Sequence, residues 1–219
     1  MSLVGGLFGS GKKKTPIEVV KGTLPLLQTL EEKEPDSDKG HLQTKEKIST
    51  NLRTMRFMFY GDTESDPKQE TMDKLAQEIL ENDLLPPLLK HIKDLEFEAR
   101  KDVAAIFNFL LRRGSENSAE KYFLAHTEIL DSLVSGYDDV EIALNCGAIL
   151  RECIRHESLC KKILEEQKYF YPFFDLVQKS SFDVAADAFT TLKQLLTKHK
   201  NIAAEFLQSH YDKVRLQPC

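Results

Sequence analysis

From residue 15 onward, apolar residues recur at steps of three and four, the spacing of an amphipathic helix rather than of a strand. Thr15-Pro16-Ile17-Glu18 is a capping box with proline at the first helical position. The threonine oxygen can accept an orphan amide while the glutamate reaches back, which predicts a helix running to about Glu32. Glu34 to Gly40 is a polar break. Leu42, Ile48, Leu52, Met55 and Phe59 then fall near one face of a second helix, expected to stop at Gly61. Asp66-Pro67 is read as opening a third, leading to Leu75, Ile79 and Leu80.

Beyond this point the chain repeats itself. Phe97 to Arg112, Val140 to Arg155 and Phe182 to Thr197 align, with starts at intervals of 43 and 42 residues, inside the roughly 40 to 47 residue period of HEAT and armadillo units. Each opens on Phe97, Val140 or Phe182 followed by an acid, then carries Asp102, Asn145 or Asp187, and closes on an apolar pair. A shorter apolar element precedes each one: Leu84 to Leu89, Ile129 to Val134, and Phe170 to Leu176. This pattern predicts an all-α, armadillo/HEAT-like helical-repeat solenoid, an α-α superhelix whose last helix in each unit lines a concave side. A single unit cannot bury both its faces, so neighbours must stack. The expected organisation is a flexible arm over residues 1–14, a repeat domain over 15–213 and a divergent tail over 214–219. Asp102, Asn145 and Asp187 are read as buried, hydrogen-bonded positions between repeats.

Composition narrows the function classes. The chain of 219 residues is 41 % hydrophobic and 30 % charged, lacks tryptophan and has a net charge of −5. With both signs interspersed there is no domain-wide cationic field to attract nucleic acid or an anionic membrane. Leu3, Val4, Leu7 and Phe8 are interrupted by glycines, so no membrane span or signal segment is expected, and the location expected is cytoplasmic. Cys146, Cys153, Cys160 and Cys219 contain no C-x-x-C pair. Cys146 and Cys153 share a helix face but lie about 10 Å apart along its axis, which favours core packing over a shared metal.

Motifs for chemistry fail on inspection. Gly6 to Lys13 comes within one residue of a phosphate loop, but Lys13 stands where the magnesium-binding hydroxyl belongs and no strand can precede it. Asp36 and Asp38 do not start a calcium loop, because Gly40, His41 and Lys47 occupy the positions of a ligand, the turn glycine and the bidentate glutamate. His156 and His199 are placed at helix C-termini, complementing the carbonyl end of the dipole. No enzyme, metal or cofactor is expected. The near-miss phosphate loop is all that motivates a nucleotide-binding alternative.

Three longer strings are specific to a family. Glu141-Ile142-Ala143-Leu144-Asn145-Cys146-Gly147, Leu150-Arg151-Glu152-Cys153-Ile154-Arg155-His156-Glu157 and Phe182-Asp183-Val184-Ala185-Ala186-Asp187-Ala188-Phe189 closely resemble the calcium-binding protein 39 family. The similarity runs from about Pro16 to Lys213. The resemblance implies an armadillo-like scaffold without catalysis of its own. Such a scaffold holds the sterile-twenty-related adaptor pseudokinase in an active-like conformation, so switching on liver kinase B, and also activates sterile-twenty family kinases.

Alignment with Phe97 and Val140 makes Phe182 a repeat-core position, whereas the resemblance implies that Phe182 contacts the partner from the concave surface. Arg151 and Arg155 are further candidates, since arginine on that surface suits a partner's carboxylate and equally a neighbouring repeat's. Family members continue through further repeats that hold a pocket for the pseudokinase tail, whereas this chain leaves the pattern after Lys213. The tail pocket is therefore expected to be missing, and the uncapped end to favour self-association. A truncated, non-activating competitor is the alternative reading.

Overall fold

The computed structural model describes residues 14–32, 38–62, 66–113 and 118–216. The near-miss phosphate loop, Asp36 and Cys219 lie outside them.

Helix α1 (Pro16–Glu32) starts on the capping box: the Thr15 amide donates to Glu18 Oε2 at 2.8 Å and the Glu18 amide to Thr15 Oγ1 at 3.3 Å. Helix α2 (Asp38–Tyr60) begins inside the stretch read as a break and stops at Gly61, whose φ of 78° is the left-handed conformation of a helix-ending glycine. Ile48, Leu52, Met55 and Phe59 are buried as expected, but Leu42 is exposed. One helical turn carries it past the edge of the buried stripe.

Three helix triplets follow. The first is α3 (Gln69–Glu81), α4 (Leu85–Lys90) and α5 (Phe97–Arg113). The second is α6 (Ser118–Ala125), α7 (Thr127–Ser135) and α8 (Ala143–Ile154). The third is α9 (Glu157–Glu165), a segment broken into α10 (Gln167–Phe170) and α11 (Pro172–Leu176) by Pro172, and α12 (Phe182–Thr197). Helix α13 (Lys200–Arg215) then starts the same pattern again.

Two boundaries differ from the sequence reading. Helix α3 begins at Gln69, two residues after Pro67, with extended Lys68 as its N-cap. Helix α8 begins at Ala143, because a 3-10 turn over Gly136–Asp138 and a backbone bond from the Ala143 amide to the Asp139 carbonyl occupy the residues before it.

The long helices stack in one row, α2 on α5, α5 on α8 and α8 on α12. A second row runs α1, α4, α7 and α10, and a third runs α6, α9 and α13. Between the rows lies one continuous apolar core including Phe59, Phe107, Phe123, Tyr137, Tyr169, Phe170 and Phe173. The long helices point the same way: Arg100 near the start of α5 reaches Glu141 before α8, while Arg112 at the end of α5 reaches Glu152 near the end of α8. This is the predicted helical-repeat solenoid.

Polar ties between units recur at about one repeat of sequence separation. His156 Nε2 donates to the Leu111 carbonyl and His199 Nε2 to the Ile154 carbonyl, each at 2.9 Å and each 45 residues back. Both histidines thus serve helix C-termini, but not those they follow in sequence. His156, just after α8, serves α5, and His199, just after α12, serves α8, while each is the N-cap residue of the next helix, α9 or α13. The reason is that each follows the short turn between one unit's last helix and the next unit's first.

Asp102 and Asp187 occupy the expected inter-repeat positions. Arg56 Nε lies 2.6 Å from Asp102 Oδ1. Arg151 Nη1 donates to Asp187 Oδ2 at 2.7 Å and to Thr191 Oγ1 at 3.0 Å. Tyr137 donates to the same Asp187 oxygen at 2.7 Å and lies 2.8 Å from the Thr191 hydroxyl. Burial, and then the Asp187 charge, pushes the Tyr137 phenol well up, so it stays a donor. Asn145, at the equivalent place in the middle unit, is half-buried and takes part in no such side-chain bond among the described residues. Cys146, Cys153 and Cys160 are buried free thiols, with burial pushing Cys146 up to about 12 and Cys160 to about 11. They pack as small hydrophobes.

Gly147 lies beneath the Asp187 cluster, where an added Cβ would run into the Asp187 carboxylate and the Tyr137 hydroxyl. Gly147→Ala is therefore expected to destabilise the fold by about 1–3 kcal/mol, measured as a lowered midpoint in urea with unchanged slope. His156→Ala removes one tie between units and leaves a carbonyl without its donor. A loss of about 1 kcal/mol, read in the same denaturation experiment, is the expected result.

Candidate functional site

The row of long helices presents one side to solvent, and that side has two edges. Along the N-terminal edge stand Phe97, Val140 and Phe182, which are 65 %, 65 % and 82 % exposed. The core reading suggested by their alignment is thereby overturned for all three. Each sits at or just before the first turn of its helix, pointing beyond the packed layer, and the apolar positions that do enter the core come later: Val103, Ile106, Ile149, Leu150, Val184 and Leu195. Lys101 Nζ sits 4.1 Å from the centre of the Phe97 ring, a cation–π contact at the surface. Leu144 extends the apolar row at 47 % exposure.

The C-terminal edge is cationic. Arg112 Nη2 donates to Glu152 Oε2 at 2.8 Å, and Arg155 Nε lies 3.1 Å from Glu152 Oε1. Glu152 is buried, whereas both arginine side chains are more than half exposed. The bond to Glu152 raises the Arg112 pKa further, so this guanidinium stays charged throughout. Tyr60 donates to the Ala105 carbonyl at 3.0 Å and packs edge-on against Phe109.

The three sequence candidates thus fall in different places. Phe182 opens α12 on the apolar edge, Arg155 caps α8 on the cationic edge, and Arg151 lies between, half-buried and committed to Asp187 and Thr191. Sequence reading missed Phe97 and Val140 as surface residues, although their shared register with Phe182 was the available signal. Arg112 was missed as well. Its link to Glu152 spans one repeat and leaves no mark in local sequence.

Elsewhere, a cleft of about 780 Å³ opens between α3, α5 and α6, floored by Ala76, Leu80, Phe109 and Leu110. Among the described residues, no group of three or more His, Cys, Asp or Glu side chains is placed to hold a metal ion. None of their helices is long and apolar enough to cross a membrane.

The fold defines a class: a helical-repeat solenoid, here with an exposed apolar edge and a cationic edge on its long helices. The chain belongs to the Mo25-like family, whose pattern matches residues 6–217. It is 40 % identical over 210 residues to MO25-like protein 2 of Caenorhabditis elegans, covering 94 % of this chain and 62 % of that protein. It is 42 % identical over 207 residues to calcium-binding protein 39-like of Homo sapiens, covering 94 % of this chain and 60 % of the relative. The chain thus spans about 60 % of the length of these relatives. Among solved structures, a designed armadillo repeat protein in complex with the peptide (KR)4 superposes with a TM-score of 0.47 at 14 % identity, covering 91 % of this chain and 93 % of that one.

Because Phe182 is exposed, its removal separates a surface role from a core role. Phe182→Ala is expected to change stability by no more than about 0.5 kcal/mol. Phe173→Ala, which empties a fully buried site, is expected to cost about 3–5 kcal/mol. Parallel urea titrations of the two variants check both values.

Proposed function

We propose that this chain is a non-catalytic scaffold that binds a sterile-twenty-type kinase or the sterile-twenty-related adaptor pseudokinase through the exposed side of its long-helix row. Binding favours the active-like kinase conformer and so promotes liver kinase B activation. The observation that carries this reading is the row formed by Phe97, Val140 and Phe182, apolar side chains held outside a packed layer at one position per repeat, with Leu144 added in the middle unit. Rigid aromatic anchors of this kind dominate binding energy at protein interfaces. Membership of the Mo25-like family supports it. The scaffold acts by population shift: it prefers one kinase conformer by its differential contact energy, typically about 1–3 kcal/mol.

A second reading is favoured by the exposed outer side of α12: the units present grip the kinase without switching it, and so compete with a longer relative without activating. The outer side of α12, where Phe189 is 61 % exposed, is then the surface on which a further unit or a second copy stacks. At the equivalent positions Ala104 and Gly147 are buried against the next helix in the row.

The test is co-purification with the adaptor pseudokinase and stimulation of an active sterile-twenty kinase. A complex is expected, and Phe182→Ala is expected to weaken it at least about tenfold, the scale of an interface hot spot, with the fold intact. Absence of both complex and stimulation contradicts the proposal. A complex that lowers kinase output when titrated against a full-length relative selects the competitor reading.

A further inference from the structure

The cationic edge of the long-helix row is more ordered than helix-end charge requires. Arginines near helix C-termini ordinarily complement the exposed carbonyls. Here the Leu111 and Ile154 carbonyls already accept bonds from His156 and His199. Arg112 and Arg155 instead converge from adjacent helices on the two oxygens of one buried carboxylate, Glu152. Arg112 hydrogen-bonds Oε2, Arg155 Nε makes an ion-pair contact of 3.1 Å with Oε1, which accepts no hydrogen bond, and more than half of each arginine side chain faces solvent.

The neighbours add charge of the same sign. Arg113 lies with its guanidinium 5.9 Å from the Phe109 ring, and Tyr60 packs on that same ring. Arg56, one turn before Tyr60, is paired with Asp102. The charges of Arg112, Arg113 and Arg56 all act on the Tyr60 phenol. Arg56 pairs with Asp102, and Arg112 and Arg155 with Glu152, so with Arg113 this edge is locally cationic in a chain whose net charge is −5. Concentrating cations against the overall sign costs self-repulsion, which an anionic partner relieves.

We propose that the Arg112–Arg155 pair, with Arg113 and Arg56 beside it, is a docking site for a phosphorylated segment of a protein partner. The inference rests on the reading that this face receives a protein, and it adds what chemistry the partner brings. A phosphoryl group carries nearly two negative charges and three acceptor oxygens, enough to engage both Arg112 and Arg155, which share one carboxylate. A lone carboxylate offers half the charge and cannot bridge the forks as fully. Recognition of phosphate by clustered arginines is a general mode of peptide binding.

The probes are phenyl phosphate and three degenerate peptide pools carrying a fixed phosphothreonine, threonine or glutamate. On the full chain labelled with 15N-arginine, phenyl phosphate is expected to shift the Nε–H resonances of Arg112 and Arg155 before those of other arginines. By fluorescence polarisation, the phosphothreonine pool is expected to bind at least about tenfold tighter than the threonine pool. Arg155→Gln and Arg112→Lys are each expected to reduce that binding about fivefold or more, the latter keeping an ion pair with Glu152 and hence the fold, since lysine lacks the fork. Lys193→Gln, in the same row, is expected to leave it unchanged.

Equal binding of the glutamate and phosphothreonine pools overturns the phosphoryl assignment in favour of carboxylate. Equal binding of all three pools, or an equal loss with Lys193→Gln, overturns the site itself. No kinase is present in these measurements. Failure of kinase co-purification with phosphothreonine binding intact therefore removes only the scaffold reading.

Discussion

Everything in this molecule depends on lateral contact between parallel long helices one repeat apart. Each helix triplet has more apolar surface than it can bury alone, so α2, α5, α8 and α12 stack and share one core with the rows behind them. Burial alone does not fix how far one helix slides along the next. Polar ties do: Arg56 to Asp102, Arg112 to Glu152 and Arg151 to Asp187 join successive members of the row, and each has a partner only at the right stagger. Removing one member leaves a buried carboxylate alone, which costs far more than the pair contributes.

The same stacking creates the candidate face. With the long helices packed against neighbours, Phe97, Val140 and Phe182 stand outward at or just before the helix starts, and Arg112 and Arg155 at the helix ends. An apolar edge and a cationic edge then run along one surface, repeated at the spacing of the units. The proposed scaffold role uses this surface. The buried thiols fit that account. Burial pushes their thiols up, to about 12 for Cys146 and about 11 for Cys160, and they fill space in the core.

Much of the architecture was legible in the chain. The capping box at Thr15, the glycine stop at Gly61 and the alignment of three long helices each appear where local physics places them. The first helices of the triplets, α6 and α9, were harder to see because they are short and their apolar faces are shared with neighbours. Leu42 misled because periodicity marks which residues share a stripe but not where the stripe leaves the core. The alignment of Phe182 with Phe97 and Val140 misled in the same way, whereas the resemblance implied an exposed Phe182, as it is. Hydrophobicity in register across repeats reads as core, yet a helix's first turn can project past the layer it belongs to.

The sequence by itself determined the class, the period and the helices, since these follow from spacing within about one turn and from self-similarity along the chain. Only the tertiary structure decided which in-register side chains face outward, and which arginine meets which carboxylate. Arg112 and Glu152 are 40 residues apart, and His156 and Leu111 are 45. No local pattern encodes either pair. Their meeting is set by the stagger of stacked helices, a property of the packed whole, and that stagger turns scattered arginines into one charged edge.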